Sequence, residues 1–226
     1  MDAIVLGRKD VGEYNQWVVC LSQKYGKQQY LMRGVKKITS KNAAHIEPCS
    51  FIDATVVSGK DLDILTTSYL QDSFTLIHQD YVKRLMADTI LRIVDLLTIS
   101  GEDGQVFDVL LSGLYSLSTD SVVSAVRWID LFMLQLCEAI GIVPVLDRCC
   151  VCGKSRREMN TPVLSALHGG VVCRGCVGGG GRSYAPKERL YLLKNEADFH
   201  AFMHHHVNFH LPQDIFDWGD IEKWLK

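Results

Sequence analysis

Four cysteines form two CxxC pairs, and their spacing is the strongest chemical signal in the sequence. The first pair is Cys149 and Cys152 in "DRCCVCGKS", and the second is Cys173 and Cys176 in "HGGVVCRGC". Two such pairs can hold a metal ion, form a redox centre or make two disulfides. Each alternative implies a different class of protein.

Composition and spacing favour the metal. The start, "MDAIVLGRKDVG", lacks the features of a secretory signal, so we expect a reducing cytosolic compartment in which disulfides are rare. A thioredoxin-like centre needs one CxxC between a strand and a helix, whereas here both pairs lie beside glycines. The twenty residues between Cys152 and Cys173 fit the spacing of tetrahedral zinc sites. Unligated buried cysteines and an iron–sulfur cluster are the remaining alternatives.

Such a zinc site is structural, because four thiolates leave no open position for water or substrate. Cys150 lies inside the first pair and is predicted to be a bystander. The cysteines at 20, 49 and 137 lie in apolar periodic segments and are predicted to be buried.

Other catalytic signatures are incomplete. The "CGKS" stretch lacks the earlier glycine of a Walker A loop, because Arg148 stands in its place. The same arginine replaces the proline that precedes the cysteines in zinc deaminases. The glycine run at 178–181 makes no GxGxxG and is predicted to be a flexible turn. We therefore expect neither an ATPase nor a deaminase.

The elements that position the cysteines divide the chain into two patterns. With 226 residues, 47% of them hydrophobic, the chain can bury one or two cores, and no apolar run is long enough to span a membrane. Up to about residue 75, short runs rich in Val, Ile, Tyr and Thr recur every ten residues or so between turns. Five such strands fit a small barrel: "DAIVLGR", "NQWVVCLSQ", "KQQYLMRGV", "SFIDATVVSG" and "LDILTTSYLQ".

From about residue 80 the apolar period becomes helical. Helices are predicted over "YVKRLMADTILRIVDLLTISG", "QVFDVLLSGLYSLS" and "SVVSAVRWIDLFMLQLCEAIG", with Gly101 and Gly141 as ends. After the cysteines, "SYAPKERLYLLKNEADFHAFMHHHV" is predicted to be another helix, and the spacing of His200 and His204 could place two metal ligands on one face. Packed or solvated histidines are the commoner outcome.

Charge is unevenly distributed. Residues 1–60 carry nine Lys and Arg against five Asp and Glu, a net charge of +4, whereas the rest of the chain is acidic. The densest basic run is "RGVKKITSKNAAH", and nearby rings are Tyr14, Trp17, Tyr25 and Tyr30. A basic groove with aromatic surfaces binds nucleic-acid backbones without reading sequence, although a solvated loop with buried rings is also consistent.

Four segments together resemble the bacterial RecO family of recombination mediators, in order and at similar intervals. They are "GRKDVGEYNQWVVCLSQKYG", "RGVKKITSKNAAHIEP", "LDRCCVCG" and "HGGVVCRGC". The resemblance covers residues 1 to about 185 and is most specific around the cysteines. The last part departs from the family pattern, because Pro212 interrupts "HVNFHLPQDIFDW" before a short acidic tail.

The resemblance implies an α+β multidomain protein. It implies an OB-fold β-barrel that binds DNA at 1–78, a helical middle domain at 79–147, a small inserted zinc module with four cysteines at 148–185, and a C-terminal helix and tail at 186–226 that pack on the helical domain. One structural Zn2+ per chain would be held by Cys149, Cys152, Cys173 and Cys176. The DNA backbone would be contacted by basic residues of the barrel: Arg8, Lys24, Lys27, Arg33, Lys36, Lys37 and Lys41.

The function that the resemblance implies is not enzymatic. RecO-like proteins bind single- and double-stranded DNA, anneal complementary strands, and work with RecR and single-strand DNA-binding protein to load RecA. We accordingly expect a bacterial, cytoplasmic, nucleoid-associated protein without a membrane contact. Two other hypotheses are a zinc-stabilised interaction adaptor that does not touch DNA, and a catalytic zinc enzyme in which His168 replaces one cysteine as ligand.

Overall fold

The computed structural model describes residues 1–40, 42–60, 62–98, 101, 104–119, 124–178, 190–192 and 196–210. The chain divides into two compact units, residues 1–123 and 124–226. This grouping differs from the four segments predicted from sequence, because the helices up to residue 119 belong with the barrel. The four-segment division stays a prediction.

The first unit begins with the five predicted strands. They are β1 (Asp2–Val11), β2 (Asn15–Ser22), β3 (Gly26–Met32), β4 (Phe51–Ser58) and β5 (Asp63–Asp72). They close into a barrel in the order β1-β2-β3-β5-β4. All neighbours are antiparallel except β3 and β5, which meet in parallel at Leu31 and Ile64. This order and closure are those of an OB-like barrel, which confirms the predicted N-terminal fold.

Side chains that alternate with outward-facing ones along the strands fill the interior of the barrel. In β2, Gln16, Val18 and Cys20 are buried, while Asn15, Trp17 and Val19 are only half-buried. Of these inward residues, Val18 and Cys20 share one apolar cluster with Tyr30 and Met32 of β3 and with residues of the other strands. Because side chains alternate between the two faces of a strand, Trp17 and its alternate neighbours form an outer face.

Three helices complete the first unit: α1 (Thr75–Gln79), α2 (Tyr81–Leu97) and α3 (Gly104–Thr119). Helix α2 buries an apolar stripe that includes Met86, Ile90 and Val94. Lys27 of β3 forms an ion pair with Asp95 of α2 at 3.2 Å. Helix α2 ends at Leu97, four residues before the predicted end at Gly101, because Thr98 adopts an extended backbone conformation with φ of −90° and ψ of 133°.

The second unit contains the helix α4 (Ala125–Ala139), the strands β6 (Val163–Ser165) and β7 (Gly170–Val172), and the short helix α5 (Arg174–Gly178). They are followed by β8 (Leu190–Leu192) and α6 (Glu196–His210). The three strands form one antiparallel sheet in the order β7-β6-β8. No helix among the described residues is both long and apolar enough to cross a membrane.

In the second unit, one predicted helix boundary is confirmed and another is wrong. Gly141 ends α4 as predicted, since Ile142 donates to the Cys137 carbonyl at 2.8 Å and Gly141, with φ of 77°, donates to Glu138 at 3.2 Å. This is a Schellman cap. The predicted C-terminal helix was wrong at its start, because residues 190–192 pair with β6 as a strand and the helix begins at Glu196.

The start of α2 gives a test of the first unit. The Asp80 carboxylate accepts hydrogen bonds from the backbone of Val82 at 2.9 Å and Lys83 at 3.1 Å. We expect Asp80→Ala to lower the free energy of unfolding by about 1 kcal/mol, because these N–H groups lose their acceptor. Urea unfolding followed by circular dichroism measures this. Asp80→Asn keeps an acceptor and should lie near wild type; equal losses in the two variants would contradict the capping role.

Candidate metal centre and nucleic-acid interface

The four predicted cysteines meet at one point. The sulfurs of Cys149, Cys152, Cys173 and Cys176 all lie within 4.8 Å of one another, and those of Cys152 and Cys173 are 3.7 Å apart. Zinc–sulfur bonds of about 2.3 Å in a tetrahedron place sulfurs about 3.8 Å apart. The residues therefore fit a four-thiolate metal centre, and they are the one group of potential ligands of this kind in the part of the chain that the structure describes.

The first CxxC pair is held in a tight backbone turn. Cys149 donates its N–H to the Lys154 carbonyl at 2.8 Å, and Gly153 donates to the Cys149 carbonyl at 2.9 Å. Gly153 adopts a left-handed φ of 74°, which a glycine accommodates without steric cost. The chain therefore reverses directly after Cys152, and both sulfurs of the pair face the same centre.

The second pair lies at the junction of a strand and a helix. Strand β7 leads into Cys173, and α5 follows it directly. Cys176 donates its N–H to the Cys173 carbonyl at 2.9 Å, and Val177 donates to the same carbonyl at 3.2 Å. This turn brings Cys176 back beside Cys173.

Backbone hydrogen bonds join the two pairs. Val145 donates to Gly169 at 2.9 Å, Val171 donates back to Val145 at 2.8 Å, and Cys150 donates to Val171 at 2.8 Å. Gly170 sits at the closest approach, where a Cβ would lie 2.1 Å from the Val145 carbonyl oxygen. Only glycine fits at this position, because any side chain would overlap the opposing backbone.

Without a metal, the thiols of the cluster differ in pKa, so that Cys149 loses its proton more readily than Cys176. Burial raises the pKa of Cys149, but backbone N–H groups of Cys152, Cys173 and Val151 outweigh burial and lower that pKa to about 6. Hydrogen bonds with Cys173 and Cys152 raise the pKa of Cys176 to about 12. A cation at the centre would favour thiolates at all four positions, since its charge stabilises the deprotonated form.

The other four cysteines lie outside this group. Cys20, Cys49 and Cys137 are at most 2% exposed, and burial raises the pKa of each to about 12, as expected for inert core thiols. Cys150 is half-exposed, and its pKa is raised by burial and by the neighbouring Cys149. It is not part of the group of four.

Histidines contact protein groups rather than the cysteine cluster. The His168 ring lies 2.8 Å from the Ser165 hydroxyl. In α6, His200 Nδ1 is 2.7 Å from Asp130 Oδ1 of α4, and His206 Nε2 is 2.7 Å from the Ile142 carbonyl. His200 and His206 are buried, and both contacts tie α6 to α4 or to the residues that directly follow it.

The basic residues predicted to bind DNA lie on the barrel in two classes. Those of the first class are paired with acidic groups: Arg8 with Glu47 at 2.6 Å, Lys27 with Asp95 at 3.2 Å, and Lys36 with Asp10 at 2.5 Å. The hydrogen bond from Lys36, followed by that from Gln16, lowers the pKa of the exposed Asp10. These three cations are partly neutralised by the protein itself.

The second class comprises Lys24, Arg33 and Lys37. All three are exposed and have no ion pair among the described residues. Lys24 Nζ lies 5.0 Å from the centre of the Tyr25 ring, and Lys37 Nζ lies 5.6 Å from that of Tyr14. Lys41, the seventh predicted contact, lies outside the described residues.

The four rings near these cations differ in exposure. Tyr14 and Tyr25 are 43% and 45% exposed, and Trp17 is half-buried on the outer face of β2, where it pairs with Lys9 and Leu31. Tyr30 is buried in the barrel core at 4% exposure, so it offers no stacking surface. The lysine–tyrosine pairs were not foreseen, although Lys24 and Tyr25 are adjacent in sequence.

Comparison with known proteins assigns both halves of the chain to one family. Residues 1–74 match the family model described as recombination protein O N terminal, and residues 78–204 match recombination protein O C terminal. Similar curated proteins are named DNA repair protein RecO. That of Shouchella clausii is 35% identical over 78% of this chain and 68% of its own length. That of Roseiflexus sp. is 30% identical over 78% and 62%, and that of Desulforamulus reducens is 27% identical over 78% and 68%.

The close approach at Gly170 gives a test of the cysteine site. We expect Gly170→Ala to raise the alkylation rate of Cys149, which is 2% exposed, by about five- to a hundredfold, because strain of about 1–3 kcal/mol promotes local opening. Mass spectrometry after chelator treatment measures this rate. Gly175→Ala, where an added Cβ meets nothing within 4 Å, is the matched control. Equal rates in both variants would contradict the steric role.

Proposed function

The chain belongs to the RecO family, and we propose from this membership that it is a non-enzymatic recombination mediator in DNA repair. In this proposal it binds single- and double-stranded DNA and anneals complementary strands. The matched segments cover 68%, 62% and 64% of the length of the first three relatives, so the activity of a whole relative is itself part of the proposal.

The observation that carries the proposal is the pair of exposed lysine–tyrosine contacts on the OB-like barrel. Tyr14 lies in the turn before β2, with Lys37 over its ring, and Tyr25 lies in the turn after β2, with Lys24 over its ring. OB-fold proteins bind oligonucleotides across strands 2 and 3 and the loop between strands 1 and 2. Cations for phosphates and rings for bases are what single-strand binding requires.

Annealing by such a surface needs no chemical step. Two complementary strands repel each other through their phosphates, and cations held on one barrel lower that repulsion so that pairing can nucleate. Release of condensed counterions supplies affinity, which therefore decreases as salt increases. Arg33, Lys24 and Lys37 would be the main contacts, with Arg8, Lys27, Lys36 and Lys41 as weaker ones.

The proposed partners follow from family membership alone. They are RecR and single-strand DNA-binding protein, with RecA loaded indirectly on DNA coated by the latter. The proposed location is the bacterial cytoplasm, in association with the nucleoid. The division into segments 1–78, 79–147, 148–185 and 186–226 is likewise retained as a proposal.

We also propose that the four cysteines hold one structural Zn2+. The four sulfurs within 4.8 Å suit tetrahedral thiolate coordination, and all four positions are filled by protein. When bound, the ion would replace protons on the cysteines and hold the two pairs together. The surrounding backbone bonds would orient the thiolates.

The DNA-binding proposal predicts unequal effects within the barrel. Arg33→Gln combined with Lys37→Gln should reduce the slope of log Kd against log salt for a labelled single strand by about 1.4, since each lost phosphate contact removes about 0.7. Fluorescence anisotropy over a range of KCl concentrations measures the slope.

The matched comparison removes the same charge from paired positions. Arg8→Gln combined with Lys27→Gln should change the slope less, because these cations already contact Glu47 and Asp95. The annealing rate of complementary oligonucleotides should decrease in the same order. If wild-type protein neither bound nor annealed DNA at low salt, the proposal would be wrong and the adaptor function would replace it.

Cobalt substitution tests the metal proposal. Co2+ bound by four thiolates should give strong sulfur-to-metal charge-transfer absorption, and Cys152→Ser should weaken it because one thiolate is lost. Cys150→Ser is the control within the same turn and should leave the spectrum unchanged, since Cys150 lies outside the cluster. Equal spectral loss in both variants, or no metal uptake by wild type, would contradict the assignment.

A further inference from the structure

We propose that the cysteine module carries a second nucleic-acid contact surface, separate from the barrel, whose cations bind phosphates. The cations are Arg148, Lys154, Arg156, Arg157 and Arg174. The inference rests on the proposed DNA-binding function and deepens it, because it assigns phosphate contacts to the second unit as well as the first.

The charge of the module differs from that of its surroundings. Residues 148–178 contain five Lys and Arg and one acidic residue, Glu158. A centre of four thiolates and one Zn2+ has a net charge of −2, so part of this excess compensates the centre and the module still has a net positive charge. Residues 124–147 carry three acidic residues and one arginine, which makes the module the basic part of this described region.

All five cations are available to a ligand. Each is exposed, and none has an ion pair or a side-chain hydrogen bond among the described residues. On the barrel, by contrast, Arg8, Lys27 and Lys36 contact carboxylates of the protein. A cation without an internal partner can bind a phosphate without first giving up a carboxylate, so its contribution to affinity is larger.

The backbone of the cysteine turns brings these residues together. The backbone of Arg148 pairs with that of Ser155 in an isolated antiparallel β-bridge, and Arg156 donates its backbone N–H to the Asp147 carbonyl at 2.8 Å. A short 3-10 helix at Arg156–Glu158 follows. Arg174 comes directly after Cys173, whose sulfur belongs to the same cluster as that of Cys149. The cations are thus attached to one rigid frame around the sulfurs.

The chemistry of these residues favours phosphates over a peptide. Four of the five are arginines, whose planar guanidinium groups match phosphate oxygens in a bidentate manner. Among the described residues of the module, the large apolar side chains that are exposed are Val151 and Leu167. Two isolated apolar side chains offer little area for burying the anchors of a protein segment, whereas backbone binding of nucleic acid needs none.

The test measures salt dependence in the full chain. Arg156→Gln combined with Arg157→Gln should reduce the slope of log Kd against log salt for a single strand by about 1.4, and Arg156→Lys with Arg157→Lys should keep the slope. Arg84→Gln with Arg92→Gln removes the same charge from the exposed surface of α2 and should also leave the slope unchanged. An unchanged slope in the Arg156 and Arg157 glutamine variant would overturn the inference.

Comparison with the barrel variant separates the two proposals. If Arg33→Gln with Lys37→Gln lowers the slope and the module variant does not, the second surface is refuted and the DNA-binding function stands. If wild type binds no DNA, the proposed function itself fails. Two other outcomes for the Arg156 and Arg157 glutamine variant would overturn the inference. Faster loss of zinc to a chelator with an unchanged DNA slope would show that the arginines only compensate thiolate charge. Weaker binding of an acidic peptide with an unchanged DNA slope would show that the ligand is a protein.

A second measurement does not depend on removing charge. Val151 is 53% exposed between Cys150 and Cys152, so Val151→p-benzoylphenylalanine places a photoreactive group at the tip of the first turn. Irradiation with a labelled oligonucleotide at low salt should give a covalent protein–DNA product that decreases as salt increases. The same group at Leu131, 54% exposed on α4, is the control. Equal yields at the two positions would contradict a specific surface.

Discussion

The cysteine site depends on a close approach of two backbones, at Val145 and Gly170. The carbonyl of Val145 occupies the space where a side chain of residue 170 would lie, and hydrogen bonds on either side keep the two segments together. Three backbone N–H groups then stabilise a thiolate at Cys149 even before a cation is present. The main chain therefore prepares the first ligand, and a metal would supply the remaining free energy that holds four sulfurs together.

Local patterns predicted much of the fold, and their failures have physical causes. Alternation predicted five strands, and a glycine in left-handed conformation ended α4 at Gly141 as expected. The end of α2 and the strand at 190–192 were missed. An apolar, aromatic run such as "LYLL" suits a helix or a strand equally well, and its pairing with β6, nearly thirty residues earlier in the chain, decides between them. Barrel closure also depends on pairings that no local pattern contains.

The two parts of the candidate site were predictable to different degrees. The grouping of the four candidate metal ligands follows from local spacing, since each CxxC turn fixes two sulfurs by short-range geometry. The state of the basic residues does not, because their partners are distant: Lys27 contacts Asp95 68 residues away, Arg8 contacts Glu47 39 away, and Lys36 contacts Asp10 26 away. A count of positive charges in the sequence therefore does not tell which of them are already paired within the protein. The sequence left open whether Tyr30 is buried, because its burial likewise depends on the closed barrel.

This division of the cations bears on how the proposed annealing surface would work. A lysine paired with a carboxylate binds a phosphate only by exchanging one anion for another, so its net gain is small and its contact reverses easily. Cations that lie beside rings and have no ion pair among the described residues, such as Lys37 at Tyr14 and Lys24 at Tyr25, would in the proposed function hold a strand more firmly. A surface that combines both kinds can capture single strands and still release the duplex, because the rings lose their stacking partners when the bases pair with each other.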